Sequence, residues 1–311
     1  MKARLLGLCT AAVVLSACGA SPTHSARPTL PVSKPATAAE VDLDALPILP
    51  EITPAMAEAL RAVYRAGQAR GNQPRALAKL GDCMTDNPYF LAPLSAGRFE
   101  LGEYSELKPV IEHFRGAPAR AHGGQPWDAD AFATPGLAAA GGFNVAGPLD
   151  PTWANPEWCR VDESPLACEL RVSRPAFAIV MFGTNDVNTT DPASYDFYLR
   201  AIISQTLGAG VVPILSTFPT RPENPVKSRQ LNQIVARVAQ DYQVPLLNLN
   251  RALADLPNQG IDPEDPTHLS LPPDGRADVF TGEHLRYGAT MRNLLTLQAL
   301  DRVLRTLGVL R

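Results

Sequence analysis

The chain has 311 residues, enough for one large domain or two small ones with a substantial core. Its 30 prolines point to many loops within an otherwise ordinary globular composition. A formal net charge of −3 leaves no basic surface of the kind that binds nucleic acid.

Lys2 and Arg4 precede an apolar stretch from Leu5 to Leu15, which ends in Leu15-Ser16-Ala17-Cys18. A charged start, a short apolar middle and small residues before a cut predict a secretory signal peptide over residues 1–17. The stretch is too short to stay across a bilayer. Its ending resembles the signal of bacterial lipoproteins, which implies lipidation of Cys18 and an exported protein anchored to the membrane of the cell envelope. An ordinary signal cut elsewhere is the plainer alternative. Loss of residues 1–17 removes Lys2 and Arg4 and no acidic residue, so the mature charge is −5 (−3 minus 2). Residues 18–50, with six prolines after Cys18, read as an extended tether.

Thr53-Pro54 marks the start of a helix with Met56, Leu60, Val63 and Tyr64 on one face, ending near Gly67. A strand follows at 75–80, and a second helix starts at Ser105 with Leu107, Val110, Ile111 and Phe114 at helical spacing. "PAFAIVMF" (175–182) predicts a central strand buried on both faces. Asp191-Pro192 caps a helix through Leu207, closed by Gly208 and Gly210. "VVPILS" (211–216) reads as a strand in spite of Pro213, Leu231 to Val238 as a helix, and "VPLLNL" (244–249) as a further strand. Leu294, Leu297, Leu300, Leu304 and Leu307 line a long closing helix, and no later segment is a candidate membrane span. The alternation predicts a single α/β domain over 51–311 with a parallel sheet covered on both faces. Ligands bind beyond the carboxyl ends of such strands.

Those ends carry Gly81-Asp82-Cys83, then Gly183-Thr184-Asn185-Asp186, and finally Asp265-Pro266-Thr267-His268. An attacking atom, a base, an orienting carboxylate and oxyanion donors are what acyl transfer requires. In this order the motifs resemble those of the SGNH (GDSL) hydrolase family, over roughly residues 75 to 310, with Gly142 in "AAGGFNVAG" as the glycine of its second block. The resemblance implies a flavodoxin-like three-layer α/β/α sandwich around a central parallel sheet. It also implies that Cys83, standing where the family has serine, attacks, with His268 as base and then acid and Asp265 orienting the imidazole. The oxyanion hole would combine the Cys83 N–H, the Gly142 N–H and the Asn185 side chain, with Gly81, Asp82, Gly183 and Asp186 supporting the motifs. The implied reaction is hydrolysis of an acyl or acetyl ester on a small molecule, glycan or lipid. No cofactor or metal is expected.

Cys83 leaves two readings open. A neighbouring imidazole or a helix N-terminus would lower its pKa and make it a reactive thiolate. Alternatively it fills the place of a lost serine, leaving an inactive scaffold that binds an envelope saccharide or other ligand. Cys159 and Cys168 flank "RVDESPLA", read as a Pro-containing loop, and export favours a disulfide between them; a bond from Cys83 to either is the alternative. Asp82 is expected to bond local backbone N–H groups, and Thr85 to serve the turn. His284 has Thr281 rather than an aspartate three residues before it and reads as structural. His113 suits a helix C-terminus, His24 lies in the tether and His122 in a loop. "WDADAF" (127–132) and "DPEDP" (262–266) read as solvated loops without calcium-loop spacing, and "GLAAAGG" (136–142) lacks a dinucleotide pattern.

Overall fold

Helix α1 (Pro54–Ala69) opens where the Thr53 Oγ1 accepts the Met56 N–H at 3.2 Å, as the Thr-Pro signal predicts. This computed structural model describes residues 41–117, 120 and 130–311. The signal peptide, Cys18, the tether as far as residue 40, His24 and His122 lie outside the described residues. After α1 come β1 (Gln73–Gly81), α2 (Ala92–Ser95) and α3 (Lys108–Phe114), the last entered through a 3₁₀ stretch at 102–107. Then follow α4 (Pro165–Ser173), β2 (Pro175–Met181), α5 (Asp186–Thr189), α6 (Pro192–Gly208) and β3 (Val212–Ser216). The chain closes with α7 (Pro225–Tyr242), β4 (Leu246–Leu247), α8 (Leu249–Leu253) and α9 (Gly288–Thr306).

The sheet runs β1-β2-β3-β4, all parallel, with helices on its faces in an α/β/α sandwich. On the outer side of β1, Gly81 forms a parallel bridge with Ala139, so residues 138–140 take the place of a further strand. With that segment counted, the order is the flavodoxin-like one, in which the second element lies outside the first. All seven residues of β2 are buried. Phe177 of β2 stacks on Tyr64 of α1 (centroids 5.7 Å apart) and meets the edge of Phe114 of α3 (5.8 Å). Burying each such ring contributes about 1.5–3 kcal/mol.

Pro213 is tolerated for a geometric reason. The N–H groups of Leu215 and Thr217 point toward β4, donating to the carbonyls of Pro245 and Leu247. Two residues earlier, the same edge has no β4 beside it, since β4 pairs only with Leu215 and Ser216. The missing N–H of Pro213 therefore breaks no ladder bond.

Two expectations are corrected. Residues 41–50 are not tether: Leu43 is 1% exposed, and Asn248 donates to the carbonyls of Leu43 and Ile48, each at 2.8 Å. Residues 41–50 thus belong to the folded unit. The predicted loop between the cysteines contains the start of α4, capped by Ser164 Oγ accepting the Ala167 N–H with Pro165 in the first turn. Cys159 and Cys168 form the disulfide (Cα–Cα 5.2 Å), and Cys83 is a free thiol.

Candidate active site

At the end of β1 the chain must turn back tightly against β2. A Cβ on Gly81 would lie 2.4 Å from the Met181 carbonyl oxygen and 2.3 Å from Thr85 Oγ1, so any larger residue would separate the strands. Asp82 is fully buried and accepts the N–H groups of Met84 and Thr184, each at 3.1 Å. One bond is local, as expected; the other ties the Cys83 loop to the end of β2, 102 residues away. Cys83 is left half-buried on a turn rather than at a helix N-terminus. Burial, and then the Asp82 carboxylate beside it, push its thiol up to about 11, against the partial pull of the Met84 N–H and the Arg221 charge. The expected low-pKa thiolate is therefore not what this pocket makes. Cys83 is a neutral thiol at neutral pH.

The end of β2 gathers the second block. Gly183 has φ +141°, and a Cβ there would lie 2.1 Å from the Phe218 ring. Asn185 Nδ2 donates to the Phe143 carbonyl at 2.7 Å. The Asp186 carboxylate accepts the Val145 N–H at 3.0 Å and the Thr190 hydroxyl at 2.7 Å, and burial pushes it up to about 6. Residues 143–145 are thereby fixed, with Gly142 just before them at φ +85°. The Gly141 N–H donates to Asp86 at 3.3 Å. Among the described residues, neither the Gly142 N–H nor the Cys83 N–H donates to a carbonyl or carboxylate oxygen.

The third loop folds on itself. Ile261 and Leu269 pair in an antiparallel bridge, and the His268 N–H donates to the Asp265 carbonyl. His268 Nδ1–H donates to Asp265 Oδ2 at 2.6 Å, while Thr267 Oγ1 donates to Asp265 Oδ1 at 2.5 Å. With Nδ1 so engaged, the Nε2 lone pair is the free one. The Thr267 hydroxyl, and next His268, hold the Asp265 carboxyl down at about 2. Asp265 is still about half exposed, at 51%.

These loops adjoin. Arg221 donates to the Pro266 carbonyl, is paired with Glu223 at 2.6 Å, and its charge reaches Cys83. Met84 and Leu269, the neighbours of Cys83 and His268, line one small cavity of about 20 Å³.

Arg292, in the same cavity, has no counterpart in the sequence reading. It is 2% exposed, donates to the Met84 carbonyl and to Thr85 Oγ1 (3.0 Å), and lies 3.7 Å over the Phe90 ring. Burial pushes it down to about 9 while Asp82 and Cys83 oppose the shift. An arginine early in an amphipathic helix reads as solvated, and its partners lie about 200 residues away, so no local pattern announced it.

The remaining candidates lie apart. His113 stands in the last turn of α3, as the sequence suggests; its Nε2–H donates to the Pro74 carbonyl at 2.7 Å, and burial lowers its pKa. His284 Nε2 bonds Asp274 at 2.9 Å, a surface pair. Asp130 is buried and accepts the Ser95 hydroxyl at 2.7 Å and the Phe132 N–H at 3.0 Å, so that part of "WDADAF" is not a solvated loop. The one cluster of metal-ligating side chains among the described residues is Cys159, Glu163 and Cys168, whose sulfurs are joined and whose carboxylate pairs with Arg171. No helix of the described residues is long and apolar enough to cross a membrane.

A parallel α/β sandwich that presents a free thiol, an aspartate-oriented imidazole and undonated N–H groups at its carboxyl rim has the layout of an acyl-transfer hydrolase. The chain belongs to the GDSL-like lipase/acylhydrolase family, whose sequence model matches residues 80–271. No curated protein matches it. Among solved structures, the lipase/acylhydrolase from Enterococcus faecalis is 16% identical over 73% of this chain and 96% of its own, with a TM-score of 0.42. A GDSL-like lipase from Bacteroides thetaiotaomicron is 14% identical over 78% of this chain and 98% of its own (TM-score 0.39). A variant acetyl xylan esterase from Geobacillus stearothermophilus is 16% identical over 55% and 70%, respectively (TM-score 0.34).

Proposed function

We propose that the protein is an exported, lipid-anchored ester hydrolase that uses Cys83 as its nucleophile and acts on an acyl or acetyl ester. The observation that carries this reading is the His268–Asp265 pair, with Nε2 free, on the loop adjoining that of an unpaired thiol. His268 Nε2 takes the Cys83 proton as sulfur attacks the ester carbon. The resulting oxyanion meets the Cys83 and Gly142 N–H groups and the second N–H of the Asn185 amide. One such donor contributes on the order of 3 kcal/mol to the transition state. Collapse breaks the C–O bond, and the leaving alkoxide takes the proton from Nε2. Water then gives a proton to Nε2 and attacks the thioester carbon; the C–S bond breaks and sulfur recovers its proton. Export is supported by the leader over 1–17 and by the Cys159–Cys168 disulfide.

The test is hydrolysis of a chromogenic acetate by native protein, Cys83→Ala, Cys83→Ser and His268→Gln. Activity lost in Cys83→Ala and His268→Gln supports the reading. The raised thiol favours a second reading, an inactive binding scaffold. A silent native protein that gains activity as Cys83→Ser would establish that alternative and overturn the cysteine mechanism. Palmitate labelling of cells, lost in Cys18→Ser, tests the anchor.

A further inference from the structure

Among the grooves outside the hydrolytic residues, one is walled by aromatic rings. Gly136, Leu137, Ala139, Ala140 and Phe143 line one part of it, which places it beside Gly142 in the chain. Its wall is Trp153, Asn155, Glu157 and Trp158. The volume, about 340 Å³, is at the lower end of the range of small-molecule sites.

The wall is built to stay in place. Asp150 caps the turn that carries Trp153 by accepting the Thr152 N–H at 2.9 Å. Arg171 donates to the Trp158 carbonyl at 3.0 Å, and the Cys159–Cys168 disulfide fastens the next residue to α4. Trp153 is nevertheless 63% exposed, propped at a steep angle against Phe143 (centroids 6.2 Å apart, 74°). An aromatic face held open beside a reactive rim marks a ligand groove, because preorganisation spares the ordering cost on binding.

The polar groups narrow the ligand. Arg120, over the Trp158 ring at 5.4 Å, is committed to Glu169 (3.3 Å) and the Pro135 carbonyl. The exposed Glu157 carboxylate is then the groove's outward charge, and it repels anions. Asn155 Oδ1 accepts the Glu157 N–H at 2.9 Å, which directs the amide NH₂ away from that bond. A flat apolar face flanked by an amide donor and a carboxylate acceptor complements a pyranose ring, with C–H groups on one face and hydroxyls around its edge.

We propose that this groove binds a neutral saccharide chain and leads an ester on a sugar hydroxyl to the oxyanion loop. The last step rests on the hydrolase reading; saccharide binding does not. Cys83→Ala protein is titrated by calorimetry with cellohexaose, xylohexaose, chitohexaose and hexagalacturonate. At least one neutral hexamer is expected to bind, at least tenfold more tightly than the galacturonate. Trp153→Ala in the same background should weaken it tenfold or more, with recovery in Trp153→Tyr as a control on folding. Failure of every neutral hexamer to bind, equal affinity in Trp153→Ala, or preference for the galacturonate overturns the inference. Because the Cys83→Ala protein cannot form a thioester, loss of the hydrolase reading would leave this result standing, and the converse also holds.

Discussion

Cys83 should react with alkylating agents more slowly than an ordinary cysteine, and the size of the effect follows from its surroundings. Burial and Asp82 move the thiol from 9.0 to about 11. At pH 8 a thiol at the first value is ~9% ionised and one at the second ~0.1%, a loss of roughly 90-fold in thiolate. Thiolates of higher pKa are intrinsically better nucleophiles, and a Brønsted slope of about 0.45 returns roughly eightfold over that interval. The net expectation is a rate about tenfold below that of free cysteine at pH 8, rising with pH to a midpoint near 11. Iodoacetamide labelling, followed by mass spectrometry of the Cys83 peptide between pH 6 and strong alkali, measures it. A midpoint below about 8 with a rate above that of free cysteine would refute the reasoning, since it requires a stabilised thiolate. Slow reaction would also suit the proposed export, since it would protect a free thiol from oxidation.

Arg292→Met should remove the hydrogen bonds to Met84 and Thr85 and the stack on Phe90, costing about 2–4 kcal/mol, or a fall of roughly 4–16 °C in Tm by calorimetry. Arg292→Lys should recover little of this, because an ammonium cannot reproduce the planar stack. Replacing Cys159 and Cys168 by serine opens a loop of sequence separation 9, for which loop entropy gives about 2.5 kcal/mol; thermal melts with and without the pair check it. Asp265→Asn should lower kcat on the order of 10²–10⁴-fold through loss of imidazole orientation, with little change in Tm, since the side chain is half exposed. The Asp265 carboxyl is depressed from 3.8 to about 2, so its stabilising contacts are complete above pH 3.8 and are lost as pH falls toward 2. A titration of its carbon resonance over that window tests the sign.

The elements legible in the sequence are those set by local chemistry. Thr53-Pro54 and Asp191-Pro192 both cap their helices, and the apolar run at 175–181 is the buried β2. The motifs at the ends of β1 and β2 could be placed because a strand ends in them. What stayed hidden depends on distant partners. Segment 138–140 behaves as a strand only at its bridge to Gly81. Ser164-Pro165 is the same start signal as at the two helices above, obscured by flanking cysteines that favoured a loop. Lys79, Arg120 and Glu169 are buried charges that look solvated in sequence until the ion pair and the Phe132 carbonyl are seen. Arg292 is the extreme case within the site.

Asp82 makes the decisive trade. Its carboxylate clamps Met84 and Thr184 so that the Cys83 loop and the Asn185 motif share one frame, and after burial the same charge is what disfavours a thiolate at Cys83. A hydroxyl nucleophile never ionises in the ground state, so a buried carboxylate beside it costs little; its proton leaves only as His268 removes it during attack. On the proposed hydrolase reading, the pocket would therefore use Cys83 as a neutral nucleophile, in the manner suited to serine. On that reading Cys83→Ser should be active, with kcat/KM for a chromogenic acetate within about tenfold of the native protein, or 1.4 kcal/mol. A thiolate–imidazolium pair would instead lose several orders of magnitude on that change, because serine cannot form the ion. A fall of more than a thousandfold in a folded Cys83→Ser protein would mean that His268 and Cys83 work as an ion pair and that the Asp82 argument is wrong.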